Sequence, residues 1–66
     1  MQSVLFDTKG NVLVFNNENE LEQYLRGHEG IFYLVKKNWK TFEISEIWTR
    51  NGKHTKVTER YVDVLD

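Results

Sequence analysis

Sixty-six residues with 39% hydrophobic and 14% aromatic side chains describe one small domain, residues 1–66, with enough apolar mass for a core and too much for a disordered segment. No cysteine is present, so disulfide frameworks and thiolate metal sites are excluded. The formal net charge is −1, yet residues 1–35 hold two cationic against five acidic side chains and residues 36–60 hold seven against three. Such asymmetry points to an interacting surface in the second half; the plain alternative is that these charges solvate exposed strands. The longest apolar run, Ile31 to Val35, is far short of the ~20 residues of a membrane helix, and the amino terminus lacks a signal-peptide layout. A soluble cytoplasmic protein with no membrane partner is the expectation.

Ser3 to Asp7 reads as a first strand and Asn11 to Phe15 as a second. Thr8-Lys9-Gly10 forms a three-residue loop between them, with Gly10 in its left-handed position. Pairing Asp7 with Asn11 sets Phe6 beside Val12 and Val4 beside Val14. Leu5 and Leu13 then lie on the reverse face, so the hairpin is apolar on both sides.

Asn16-Asn17 breaks the strand pattern. Asn17 followed by Glu20 resembles a capping box, and Glu18, Glu20 and Glu22 suit the positive end of a helix dipole. Leu21, Tyr24 and Leu25 make an apolar stripe on a helix of about ten residues, too short to be stable without a sheet beneath it. Gly27 after Arg26 is the expected left-handed terminator.

After the loop His28-Glu29-Gly30, Ile31 to Lys36 is a third strand, apolar on both faces and therefore central. A loop of Lys37-Asn38-Trp39-Lys40 would pair Lys36 with Thr41, Val35 with Phe42 and Tyr33 with Ile44. Asn51-Gly52 then sits between two alternating segments in Thr41 to Val62, the pattern of a type I′ hairpin. Folding about it pairs Arg50 with Lys53, Trp48 with Thr55, Glu46 with Val57, Ile44 with Glu59 and Phe42 with Tyr61. On the other face Glu43 meets Arg60 and Ser45 meets Thr58, sensible cross-strand partners. The last three strands form a meander from Ile31 to Leu65.

The expected fold is α+β: ββαβββ order, a curved antiparallel sheet of about five strands, one helix on one face. The helix is expected over the face of Tyr33, Val35, Phe42, Ile44, Trp48, Val57 and Tyr61. The second face would carry Phe32, Leu34, Ile47 and Val62, with Leu5 and Leu13 if the first hairpin joins the same sheet. That face either curls into a partial barrel or meets another chain, which makes a homo-oligomer an expectation.

No catalytic set is visible. His28-Glu29 lacks further ligands at metal-site spacing, and Asp63 and Asp66 read as tail charges. No nucleophile elbow, phosphate-cradling glycine loop or HExxH occurs, so no enzyme activity, metal or cofactor is expected. The suggestive feature is the basic-aromatic hairpin. Trp39, Trp48, Arg50, Lys53, His54 and Lys56 are the candidate partner-binding residues, the rings as anchors and the cations for orientation and on-rate. The plain alternative for both tryptophans is a core or edge-covering role. The function read from this pattern is a small non-enzymatic protein-binding module, an inhibitor, adaptor or regulatory subunit of bacterial or phage type. Two alternatives use overlapping features: nucleic-acid binding through the same cations and rings, and a structural subunit that self-assembles through the second apolar face. No motif of a known family is present.

Overall fold

In the computed structural model, residues 2–63 are described. The chain runs β1 (Ser3–Asp7), β2 (Val12–Phe15), α1 (Glu18–Gly27), β3 (Gly30–Lys37), β4 (Thr41–Arg50) and β5 (Lys53–Asp63). All five strands join one antiparallel sheet in the order β2-β1-β3-β4-β5. The fold is the expected α+β arrangement. Among the described residues β2 and β5 are the edge strands, and the sheet is not closed into a barrel. The expected extension of the meander to Leu65, and the tail residue Asp66, lie outside the described residues.

Turn chemistry closes the hairpins. Gly10 has φ 88°, and Asp7 and Asn11 flank the first turn as the loop length requires. The β1–β2 register pairs Phe6 with Val12, Leu5 with Leu13 and Val4 with Val14, as the pattern predicts. Asn51 (φ 54°) and Gly52 (φ 76°) supply the two left-handed residues of the last turn. Arg50 faces Lys53 and Trp48 faces Thr55.

α1 carries the chain from β2 over β1 to β3. The Asn17 carboxamide accepts from the Glu20 amide at 2.9 Å, which satisfies one orphan donor of the first turn. The other end differs from expectation. Gly27 is the last helical residue, with no positive φ, and His28 ends the helix in an extended conformation. The His28 imidazole Nδ1 donates to the Tyr24 carbonyl at 2.9 Å and so caps an orphan acceptor without a left-handed glycine. The positive φ falls instead on Gly30 (141°), where the chain turns into β3.

Two registers depart from the sequence reading. In β3–β4, Val35 pairs with Ile44 and Lys37 with Phe42, and the Asn38 amide donates to Thr41 at 2.8 Å. The connection is therefore two residues, Trp39-Lys40, in place of the expected four. A shift by two keeps every side chain on its face. In β4–β5 the flush register holds only from Arg50 to Ile47; a bulge between Glu46 and Ile47 then makes Val57 an extra residue. Glu46 faces Thr58, Ile44 faces Arg60, Phe42 faces Val62, and Glu43 faces Tyr61. The expected pairs Glu43–Arg60, Ser45–Thr58, Glu46–Val57, Ile44–Glu59 and Phe42–Tyr61 do not form. The bulge reverses the faces of β5 beyond it. Lys56 and Glu59 would lie on opposite faces of a regular strand, yet their charged ends stand 3.7 Å apart.

The helix also covers the other face of the sheet from the one expected. Leu21 and Leu25 pack on Leu5, Phe32, Leu34 and Ile47, with Phe15 and Tyr24 at the margin. Tyr33, Val35, Ile44, Phe42 and Trp48 project from the open side. Ser3, Ser45 and Thr49 are buried on the helix side, and the Thr49 hydroxyl donates to the His28 carbonyl. Lys36 reaches Glu18 at 2.9 Å and ties the sheet to the first turn of the helix.

Candidate functional site

The six candidate residues fall into three places. Trp48, Arg50 and Lys53 share the open face at the Asn51-Gly52 end of β4 and β5. Trp48 is 51% exposed and Trp39 is 88% exposed, so neither ring is a core residue. The Trp48 Nε1 donates to Glu46 Oε2 at 2.6 Å, which fixes the indole against the sheet while its remaining surface faces solvent. Among the described residues neither Arg50 nor Lys53 forms an ion pair. The tip itself is tied down: the Asn51 amide donates to the Glu29 carboxylate at 3.1 Å. These three side chains form a contiguous aromatic-cationic margin.

His54 and Lys56 point to the opposite face. His54 pairs with Thr49 and Lys56 with Ile47, both buried positions under the helix. They border a small cleft with Glu18, Glu22 and Lys36. Lys56 is engaged by carboxylates, Glu43 at 3.2 Å and Glu59 at 3.7 Å. The hydrogen bond to Glu43 outweighs desolvation and raises the Lys56 pKa. The Tyr61 hydroxyl donates to Glu59, holding that carboxyl below its usual range and pushing the phenol up. This Glu43–Lys56–Glu59–Tyr61 network escaped sequence reasoning because only the bulge brings Glu59 and Tyr61 to that side. The spacing of Lys56 and Glu59 was the available signal, and it reads as a pair only once the bulge is known.

Trp39 stands at the far end of β4, in the β3–β4 turn, with the Lys40 ammonium 5.7 Å from its ring centroid. Trp48 lies seven positions along β4 from Thr41, roughly 23 Å of strand. The two tryptophans therefore do not form one site.

Two clefts, of about 280 and 170 Å³, lie beside the helix. Both are smaller than the ~300–1,000 Å³ of most small-molecule sites. Among the described residues no group of three or more His, Asp or Glu side chains is arranged to hold a metal ion. No described helix is long and apolar enough to cross a membrane. The chain matches no family model, no curated protein and no solved structure.

Proposed function

We propose that this chain is a non-enzymatic protein-binding module, of the inhibitor, adaptor or regulatory-subunit kind. Its contact end is the margin of the open sheet face formed by Trp48, Arg50 and Lys53. The observation that carries the reading is the Trp48 indole, half exposed, braced by Glu46 and beside two cations that form no ion pair among the described residues. Tryptophan and arginine recur as interface anchors because they combine large contact area with polar reach. A ring already held in place loses less rotamer freedom on binding. His54 and Lys56 leave this group, since they face the helix side, and Trp39 supplies at most a second, separate contact.

A nucleic-acid target is the second reading, favoured by the same cations. The tethering of the tip to Glu29 argues against insertion of the hairpin into a duplex groove.

The test is affinity capture from lysate with wild-type protein and with Trp48→Ala, each with and without nuclease. A captured protein that survives nuclease and about 200 mM salt is expected, because apolar anchoring lacks the steep salt dependence of phosphate binding. Trp48→Ala should weaken capture by ~2 kcal/mol or more while its circular dichroism spectrum stays that of the wild type. Capture abolished by nuclease would transfer the site to nucleic acid. Unchanged capture by Trp48→Ala would remove the tryptophan from it.

A further inference from the structure

The sheet face turned away from α1 is apolar across four strands. Val14, Val4, Val35 and Ile44 stand in one row across β2, β1, β3 and β4, and Val12, Phe6 and Tyr33 stand in the next. Ile31 and Phe42 extend the block at either end. Val12 and Val14 are 55% and 54% exposed. A sheet with one solvated face normally carries polar side chains there. Here both faces are apolar, and the single helix covers only one.

We propose that two copies of this chain pack face to face through this block, giving a four-layer α/β/β/α dimer. Three observations select a second copy as the occupant. The first is charge. In a two-fold interface a patch must complement itself, so a charge inside it needs an opposite charge elsewhere in the same patch or is buried unpaired. Over β2, β1 and β3 from Ile31 to Val35 the open face holds no charged side chain. The cations Arg50, Lys53 and Arg60, together with Glu46, lie along β4 and β5, and Lys37 lies at the end of β3.

The second is area. Four strands at 4.8 Å spacing and six residues at 3.3 Å rise, Glu46 on β4 included, give roughly 400 Å² in projection, or about 500 Å² of accessible surface per copy. Two copies then remove about 1,000 Å², the lower bound for a specific interface. The third is the thinness of the core. Among the described residues only Leu5, Leu21, Leu25, Phe32, Leu34 and Ile47 are buried hydrophobics, in a chain of a size that commonly needs oligomerisation to be stable. A mainly apolar patch, with Glu46 on its β4 side, is closer to the composition of a homodimer contact, while transient partners meet more polar surfaces. The contact is distinct from the Trp48 margin and stands whether or not that margin binds a partner.

Sedimentation equilibrium decides it. Across roughly two decades of concentration the wild type should approach twice the 7.9 kDa of one chain, with a Tm that rises with concentration as mass action requires. Val12→Lys with Val14→Lys, on the exposed edge strand, should weaken association ~10-fold or more, since each copy would bury unpaired charge. A wild-type mass of one chain with a concentration-independent Tm overturns the proposal, and the open face then belongs to a different molecule. Association undiminished in the double-lysine variant overturns it as well, because another surface would hold the copies together. Should that variant fail to fold, Val14→Thr, nearly the same shape, replaces it: an unchanged dissociation constant overturns the proposal and a several-fold increase supports it.

Discussion

Asp7 organises the first turn from a single side chain. Its Oδ1 accepts the Lys9 and Asn11 amides, each at 2.9 Å, and its Oδ2 accepts the Asn11 carboxamide at 2.8 Å. The Asn11 side chain is the largest of the influences that hold this carboxyl below its usual pKa. A carboxylate with a depressed folded-state pKa contributes stability above its unfolded value, and that contribution is lost as pH falls through the folded value. Asp7→Ala should therefore lower Tm at neutral pH and give a shallower loss of Tm below about pH 4 than the wild type. Burial separates two other positions. Leu5 is 1% exposed under α1, and Leu5→Ala should cost ~2–5 kcal/mol in denaturant unfolding. Trp39→Ala, at an 88% exposed ring, should stay within about 0.5 kcal/mol.

At the level of elements, α1 shows how local signals and packing combine. Ten residues with a capped first turn are marginal alone, and the helix persists because Leu21 and Leu25 bury against β1, β3 and β4. Tyr24 adds a tilted contact with Phe15 at 5.6 Å and an edge contact with Phe32 at 6.0 Å. It also stacks on His28 at 3.9 Å, which positions the imidazole that caps the helix end. Asn17→Ala should cost ~1 kcal/mol, and Asn17→Asp should retain most of that, because the lost interaction is the acceptor for the Glu20 amide. The β4–β5 pair illustrates the reverse case, in which a bulge overrides regular pairing. It brings Glu59 and Tyr61 to the side of Glu43 and Lys56, where the hydrogen bond to Glu43 raises the Lys56 pKa and the hydrogen bond to Glu59 raises that of Tyr61. Groups with raised folded-state pKa values stabilise below their unfolded values and lose that contribution as pH rises through the folded values. The phenol of Tyr61 should ionise at higher pH than a free tyrosine in an absorbance titration. Glu59→Gln should shrink that delay, because the carboxylate that most opposes phenolate formation is gone while desolvation and the Glu43 charge remain.

For the molecule as a whole, what could be read from the chain divides by sequence distance. Turn chemistry at Gly10 and at Asn51-Gly52 sets the first hairpin and the tip of the last one. Asn17 with the Leu21–Leu25 stripe marks the helix. Alternation correctly separates Phe32, Leu34 and Ile47 from Tyr33, Val35 and Ile44. Local pattern does not decide which of these sets lies under the helix, since both are apolar. That follows from the pairing of Leu5 with Leu34, a contact 29 positions apart, which inserts β1 between β2 and β3. The split of the candidate site, by contrast, follows from local pattern: alternation alone sends His54 and Lys56 to the opposite side from Trp48, and a cluster of cations in sequence is not a cluster in space.

This topology also fixes the order in which backbone amides should exchange with solvent. β1, β3 and β4 are hydrogen-bonded on both sides and carry Leu5, Phe32, Leu34 and Ile47 beneath the helix, so their amides should be the slowest. Among the described residues the outward-facing amides of β2 and β5 have no neighbouring strand, and they should exchange fastest. A face-to-face dimer leaves that contrast intact, because it covers side chains and pairs no edge. Association edge to edge would instead protect alternate amides along β5, the longest free edge. Hydrogen exchange at high protein concentration thus discriminates between two ways of doubling the molecule. Unprotected outward β5 amides in a protein that sediments as two copies are the expected result, since the bulge at Val57 and the charges of Lys56, Glu59 and Arg60 make β5 a poor edge for pairing.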